Sequence, residues 1–212
     1  MSDDKANTEL PPPLLESALA EFRRHGFNDA NVGRIASAAG MSKKTIYRHV
    51  PSKEALLEAV MHVMVMRSVG PVTTAAPGLT PAEWLKAFMK AFAALTFSEH
   101  GIASYRVVMS EGQRFPHVAA LYVQTVKRLA IRPLADQLAA YAKDGRLEIR
   151  QAERAAMMLV SMILAEGLRD AVLGIAEPPR GAELDALVEE GVDIFLLGIA
   201  RNPPPGRLPF KG

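Results

Sequence analysis

The stretch Ile35-Ala36-Ser37-Ala38-Ala39-Gly40-Met41-Ser42-Lys43-Lys44-Thr45-Ile46-Tyr47-Arg48-His49-Val50-Pro51-Ser52-Lys53-Glu54-Ala55-Leu56 decides the fold of this chain. Val32, Ile35, Ala36 and Ala39 recur at helical spacing, Gly40 suits the left-handed conformation that closes a helix, and Ser42 can cap a second short helix through Ile46 and Tyr47. Two short helices meeting at a glycine turn leave the second free to enter a major groove. Its first turn carries Ser42, Lys43, Lys44 and Thr45, polar and basic groups placed where base edges are met. These residues point to sequence-specific binding of double-stranded DNA through a helix-turn-helix.

Charge supports that reading locally but not globally. A formal charge of +2 over 212 residues does not by itself imply a nucleic-acid partner. Between Arg23 and Lys53, however, seven Lys/Arg stand against one acid, Asp29. Charge alone would make this a solvated surface. Its coincidence with the helix-turn-helix makes it a phosphate-facing patch.

Working outward, Pro11-Pro12-Pro13 leads into a helix expected from about Pro13 to His25, with Leu15, Ala18, Leu19 and Phe22 inward and Gly26 as its stop. Val50-Pro51 ends the second helix of the motif. Ser52 then caps a fourth helix through Leu56, Leu57, Val60, Val63 and Met64, expected to end near Val69. Gly70 to Leu79 reads as a loop and divides the chain into residues 1–69, a DNA-binding domain with its linking helix, and residues 70–212, a larger helical domain. Thr80-Pro81-Ala82-Glu83 is a capping box that opens the helix of Trp84, Leu85, Phe88, Met89, Phe92 and Leu95. Further helices are expected from Ile102 to Ser110, from Phe115-Pro116 to about Ala142 with Pro133 either kinking or breaking it, and then over 151–173 and 182–200. No strand alternation and no repeat is present, so the expected fold is all-α.

The pattern of Phe22, Gly26-Phe27, Val32, Ile35-Ala36, Ala39-Gly40-Met41-Ser42, Thr45-Ile46-Tyr47, His49 and Ser52-Lys53-Glu54-Ala55-Leu56 closely resembles the N-terminal domain of TetR-family transcriptional regulators. The chain departs from that pattern at Ala30, where the family has a capping Thr, at Gly33 inside the second helix, and at Val50 in place of Phe. Asn31 is available to cap one residue later. The resemblance implies that Lys43, Lys44, Thr45, Tyr47 and His49 face DNA, with Lys53 at the start of the fourth helix. Asn31, Ser42 and Arg48 complete the candidate interface. Lys44 is the first candidate for a base contact, donating to guanine O6 and N7. Tyr105-Arg106, Glu111, Arg114-Phe115-Pro116 and Gly145-Arg146-Leu147 resemble, less specifically, a subgroup of the same regulators.

The resemblance further implies a homodimer and a small-molecule effector held in the C-terminal domain. Candidate effector contacts are Trp84, Phe88, Met89, Phe92, Tyr105, Arg106, Met109, Tyr122, Met158, Met162 and Glu166, large or adaptable apolar groups with a few polar ones to orient a ligand. Most apolar members of such a set belong to ordinary core. Candidate dimer contacts in the last two helices are Ile163, Leu187, Gly191, Ile194 and Phe195.

Cysteine is absent, which removes disulfides and thiol chemistry. The five histidines lack close ligand spacing, and no GxSxG, P-loop or Rossmann pattern occurs, so no metal, cofactor or enzyme activity is expected. The acidic Met1-Ser2-Asp3-Asp4 is not a signal peptide, and no apolar run reaches membrane length, so a cytoplasmic protein is expected. The resulting expectation is an all-α, ligand-responsive DNA-binding repressor. The alternative is a scaffold with the DNA-binding fold, regulated by a protein partner.

Overall fold

A computed structural model describes residues 10–74 and 78–199, without the side chain of Glu111. The acidic N-terminal tail, part of the Gly70–Leu79 loop and the tail Asn202-Pro203-Pro204-Pro205 lie outside the described residues. Among the described residues the chain is helical, with no extended strand.

The N-terminal unit comprises α1 (Pro12–Asp29), α2 (Val32–Ala38), α3 (Lys43–His49) and the first half of α4 (Lys53–Thr73). Leu14, Leu15, Ala18, Phe22, Ile35, Ala36, Ile46, Val50, Leu56 and Val60 form its core. Gly26, at φ 67° and ψ −175°, breaks α1 where the sequence places its stop, and one further turn carries the chain to Asp29. Asn31 takes over as the cap of α2, its Oδ1 accepting from the N–H groups of Gly33 and Arg34. Ala30 and Val50, two of the departures from the family pattern, are buried in this core.

The larger unit contains α5 (Pro81–Thr96), α6 (Glu99–Glu111), α7 (Pro116–Val126), α8 (Arg132–Lys143), α9 (Ala152–Leu173) and α10 (Gly181–Ile199). Its core joins Trp84, Leu85, Phe88 and Met89 of α5 to Leu134 and Leu138 of α8, Leu159 and Ile163 of α9, and Val188 and Val192 of α10. The Thr80–Glu83 capping box forms as the sequence predicts. Pro133 neither breaks nor sharply interrupts the long helix. A π turn at Lys127–Ile131, closed by the Arg132 N–H donating to the Lys127 carbonyl, absorbs the proline at the first turn of α8.

The linking helix α4 runs past the expected stop near Val69 to Thr73, with Pro71 in its last turn. Thr73 and Thr74 hydroxyls both donate to the Gly70 carbonyl at 2.9 Å and close that end. By length and composition α4 is apolar enough to cross a membrane, but its apolar residues serve two cores. Leu56 and Val60 pack with the N-terminal unit, whereas Val65 and Val69 pack with the larger one.

Candidate nucleic-acid interface and ligand cavity

The α2–α3 turn is built by local hydrogen bonds. Gly40 sits at φ 65°, the Met41 N–H donates to the Ala36 carbonyl at 2.8 Å, and Ser42 Oγ accepts from the Thr45 N–H at 3.0 Å. Ile46 is thereby turned into the core. Ser42, Lys43, Lys44, Tyr47 and Arg48 are exposed along the outer side of α3, with Thr45 and His49 partly exposed beside them. Lys43, Lys44 and Arg48 have no acidic partner among the described residues, so their charge is available to phosphates. The end of the Lys43 side chain lies over Gly33: a Cβ there would stand 2.7 Å from Lys43 Cε and 2.8 Å from Asn31 Oδ1, so both would have to shift.

Lys53 is used differently from the expected phosphate contact. Its Nζ donates to the carbonyls of Asn28 at 2.9 Å and Ala30 at 3.2 Å, and lies 4.6 Å from the Phe27 ring centroid. The ammonium thus closes the end of α1.

Sequence reasoning missed Glu21, which fixes α1 to the start of α2. Its carboxylate accepts from the Asn31 N–H and from Arg34 Nε, each at 2.8 Å, while Arg34 also donates to the Asp29 carbonyl. Burial pushes this carboxyl up. The Arg34 hydrogen bond, the Asn31 N–H and the charges of Arg34 and His25 outweigh it and hold the group below the ordinary carboxylate value. The signal lay in register, because Leu14, Ala18, Glu21 and Phe22 share one helical face.

Two adjoining cavities occupy the middle of the molecule. The larger, of about 270 Å³, lies among α4, α5, α6, α7 and α9 and is lined by Met61, Met64, Val65, Phe92, Leu95, Thr96, His100, Gly101, Ser104, Tyr105, Tyr122, Val126, Val160, Ser161, Leu164, Ala165 and Leu168. The smaller, of about 50 Å³, lies between it and the N-terminal unit, walled by Leu19, Phe22 and Phe27 together with Val107 and Val118. Met61, Met64, His100, Ser104 and Tyr122 border both. Tyr105 and Tyr122 meet edge to face at 6.2 Å, and burial pushes the Tyr122 hydroxyl up to about 12.

Of the effector candidates, Phe92, Tyr105 and Tyr122 line this cavity. Trp84, Phe88 and Met89 do not: they are packed in the core, Trp84 stacked on Phe88 at 5.1 Å. Met109, Met158 and Met162 are exposed. Arg106 donates to the carbonyls of Ala171 and Val172, each at 3.1 Å, and so caps the end of α9. Glu166 is exposed beside Arg169. The lining from α4 and α9 escaped the sequence because inward-facing residues look alike whether they meet atoms or space.

The dimer candidates divide similarly. Ile163 and Gly191 are buried against each other within one chain, for a Cβ on Gly191 would stand 2.5 Å from Ile163 Cγ1. Leu187 and Phe195 are partly buried against the same core. Ile194 is 53% exposed and, with Met158, Met162 and Leu197, forms the apolar surface that α9 and α10 present outward.

An exposed cationic helix on a helix-turn-helix, joined by one long helix to a helical unit around an apolar cavity, defines a DNA-binding transcriptional regulator. Residues 14–60 match the model for bacterial regulatory proteins of the tetR family. Residues 83–198 match that for the C-terminal domain of AefR-like transcriptional repressors. The chain belongs to the TetR family. Among relatives, it is 29% identical over 191 residues to the HTH-type transcriptional activator FasR of Mycolicibacterium smegmatis, covering 90% of this chain and 83% of that protein. The HTH-type transcriptional regulator UidR of Escherichia coli is 29% identical over 122 residues, 56% of this chain, and the match spans only 61% of UidR. The solved structure of the flavonoid-responsive regulator FrrA superimposes with a TM-score of 0.68 at 28% identity, covering 89% of this chain and 96% of that one. A TetR regulator from Agrobacterium tumefaciens shares the fold, with a TM-score of 0.72 at 20% identity over 90% of this chain and 96% of its own.

Proposed function

We propose that this chain is a ligand-responsive repressor that binds a pseudo-palindromic operator as a homodimer and is released by a small, largely apolar molecule in the larger cavity. Residues up to the middle of α4 form the DNA-binding unit and the remainder the effector and dimer unit. Lys44, Tyr47 and Arg48 meet the major groove and its flanking phosphates. Two copies paired through the exposed faces of α9 and α10 set their α3 helices about 34 to 36 Å apart, one turn of the duplex.

One observation carries the reading. Met61, Met64, His100, Ser104 and Tyr122 form a wall common to both cavities, and the far side of the smaller one is Leu19, Phe22 and Phe27 of the DNA-binding unit. A ligand filling the larger chamber presses on side chains that face α1 across the smaller one, among them Met61 and Met64 of α4, the helix that follows α3. The match to AefR-like repressors and the ligand response in the name of FrrA support the same reading.

The test is a titration of the purified chain into labelled DNA from upstream of its own coding region. Saturable binding that far exceeds binding to random duplex, abolished by Lys44→Ala with Arg48→Ala, supports the proposal. Regulated genes that respond to a protein partner, with no small molecule altering DNA affinity, would favour the scaffold alternative.

A further inference from the structure

The charged side chains that sequence nominates for ligand contact all lie outside the larger cavity. The Arg106 guanidinium is committed to the carbonyl groups of Ala171 and Val172. The side chain of Glu166 is 86% exposed. Among the described residues no Lys, Arg, Asp or Glu lines the chamber; its polar groups are the hydroxyls of Thr96, Ser104, Tyr105, Tyr122 and Ser161 and the imidazole of His100. Arg23, the cation that borders the smaller chamber, is held by Glu99 at 2.7 Å.

A carboxylate or phosphate carried into such a chamber would lose hydration and meet no Lys or Arg, only the His100 imidazole, which must first take up a proton to pair with it, so its burial is costly. A neutral hydroxyl or carbonyl loses far less and recovers it from one hydrogen bond. Such bonds are on offer. The Thr96 hydroxyl is spent on the Phe92 carbonyl, but neither tyrosine hydroxyl has a hydrogen-bond partner among the described residues. Both tyrosines line the larger cavity, which brings their phenol groups to its wall. Tyr122 stays protonated through the neutral range and remains a donor.

We infer that the larger cavity selects an uncharged, mainly apolar ligand bearing a hydroxyl or carbonyl that bonds to Tyr105 or Tyr122, and rejects the carboxylate of the same size. This deepens the proposed ligand response and rests on it.

The experiment uses the full chain and matched probe pairs differing in charge: 4-hexylphenol with 4-hexylbenzoate, and 1-decanol with decanoate. Binding is measured near neutral pH by calorimetry, and DNA release is followed separately by anisotropy. In each pair the neutral probe is expected to bind at least about tenfold tighter. Tyr122→Phe, a change that keeps the ring, is expected to weaken the neutral probe about three- to tenfold, the worth of one hydrogen bond. Carboxylates binding as well as their neutral partners overturn the inference, as does neutral-probe affinity unmoved by both Tyr122→Phe and Tyr105→Phe. Carboxylates that bind as tightly as their neutral partners and release DNA sink this inference and leave the ligand response standing. Neutral probes that bind without altering DNA affinity uphold the selection and sink the response. No binding by any probe overturns both.

Discussion

The end of the Lys43 side chain lies over Gly33, so a Cβ at position 33 would displace it and crowd the Asn31 cap oxygen. Glycine in a helix interior costs about 1 kcal/mol relative to alanine. Here the missing side chain lets the end of Lys43 lie over the first turn of α2 and leaves the Asn31 cap undisturbed. Gly33→Ala is therefore expected to change stability by under about 1 kcal/mol, because improved helix propensity offsets a weakened cap. It is expected to weaken DNA binding by displacing Lys43. Thermal melts and DNA titrations on the same variant separate the two effects.

Lys44 and Lys53 are expected to part company. Lys44→Ala removes an exposed ammonium with no acidic partner among the described residues and should leave the melt unchanged while costing about 1 to 3 kcal/mol in specific DNA binding. Lys53→Ala frees the Asn28 and Ala30 carbonyls and uncovers Phe27, so it should destabilise the N-terminal unit by about 1 kcal/mol. An unaltered melt for Lys53→Ala, with a flatter salt dependence of DNA binding, would return Lys53 to the phosphate contacts.

The helix-turn-helix was legible because its information is local: a cap, a glycine turn and a helical period within two dozen residues. The ligand cavity was not. Trp84, Phe88 and Phe92 lie on one stripe of α5, yet Phe88 is sealed in the core whereas Phe92 borders space. Periodicity tells which face turns inward, not what it meets there. Arg106 misled for a related reason, since a polar residue among aromatics looks like a ligand anchor until the end of α9 arrives beside it. Likewise Gly191 suggested close approach of helices, correctly, but the partner helix is α9 of the same chain.

Phe88→Ala consequently belongs to stability. With the ring fully buried, its loss should cost about 3 to 5 kcal/mol in denaturant unfolding. Phe92→Ala should lower affinity for a cavity ligand as well.

Glu21 gives the N-terminal unit an acid limit. Its carboxyl titrates lower in the folded protein than in the unfolded chain, so its contribution is complete above the unfolded value of about 4.5 and is lost as pH falls through the lower folded value. Glu21→Gln is expected to be less stable by about 1 kcal/mol at neutral pH and to lose less than wild type on acidification below about pH 4.5. Melts across that range check the sign: a variant that loses as much as wild type would place the acid sensitivity elsewhere.

A second copy is expected on the outward face of α9 and α10. Ile194→Asp should give monomers in sedimentation and abolish operator binding while the fold persists, because Ile194 is largely exposed within one chain. Wild-type protein that is monomeric at micromolar concentration would contradict this.

Coupling of the cavity to the DNA face is expected to run through the wall of Met61, Met64 and Tyr122. The direct measurement is a pair of titrations, 4-hexylphenol into free protein and into the protein–operator complex. Linkage requires that the probe weaken DNA binding by the same factor by which DNA weakens the probe. The expected factor is about 5 to 150, corresponding to about 1 to 3 kcal/mol of coupling. Measurable probe binding with identical affinity in both states would contradict it.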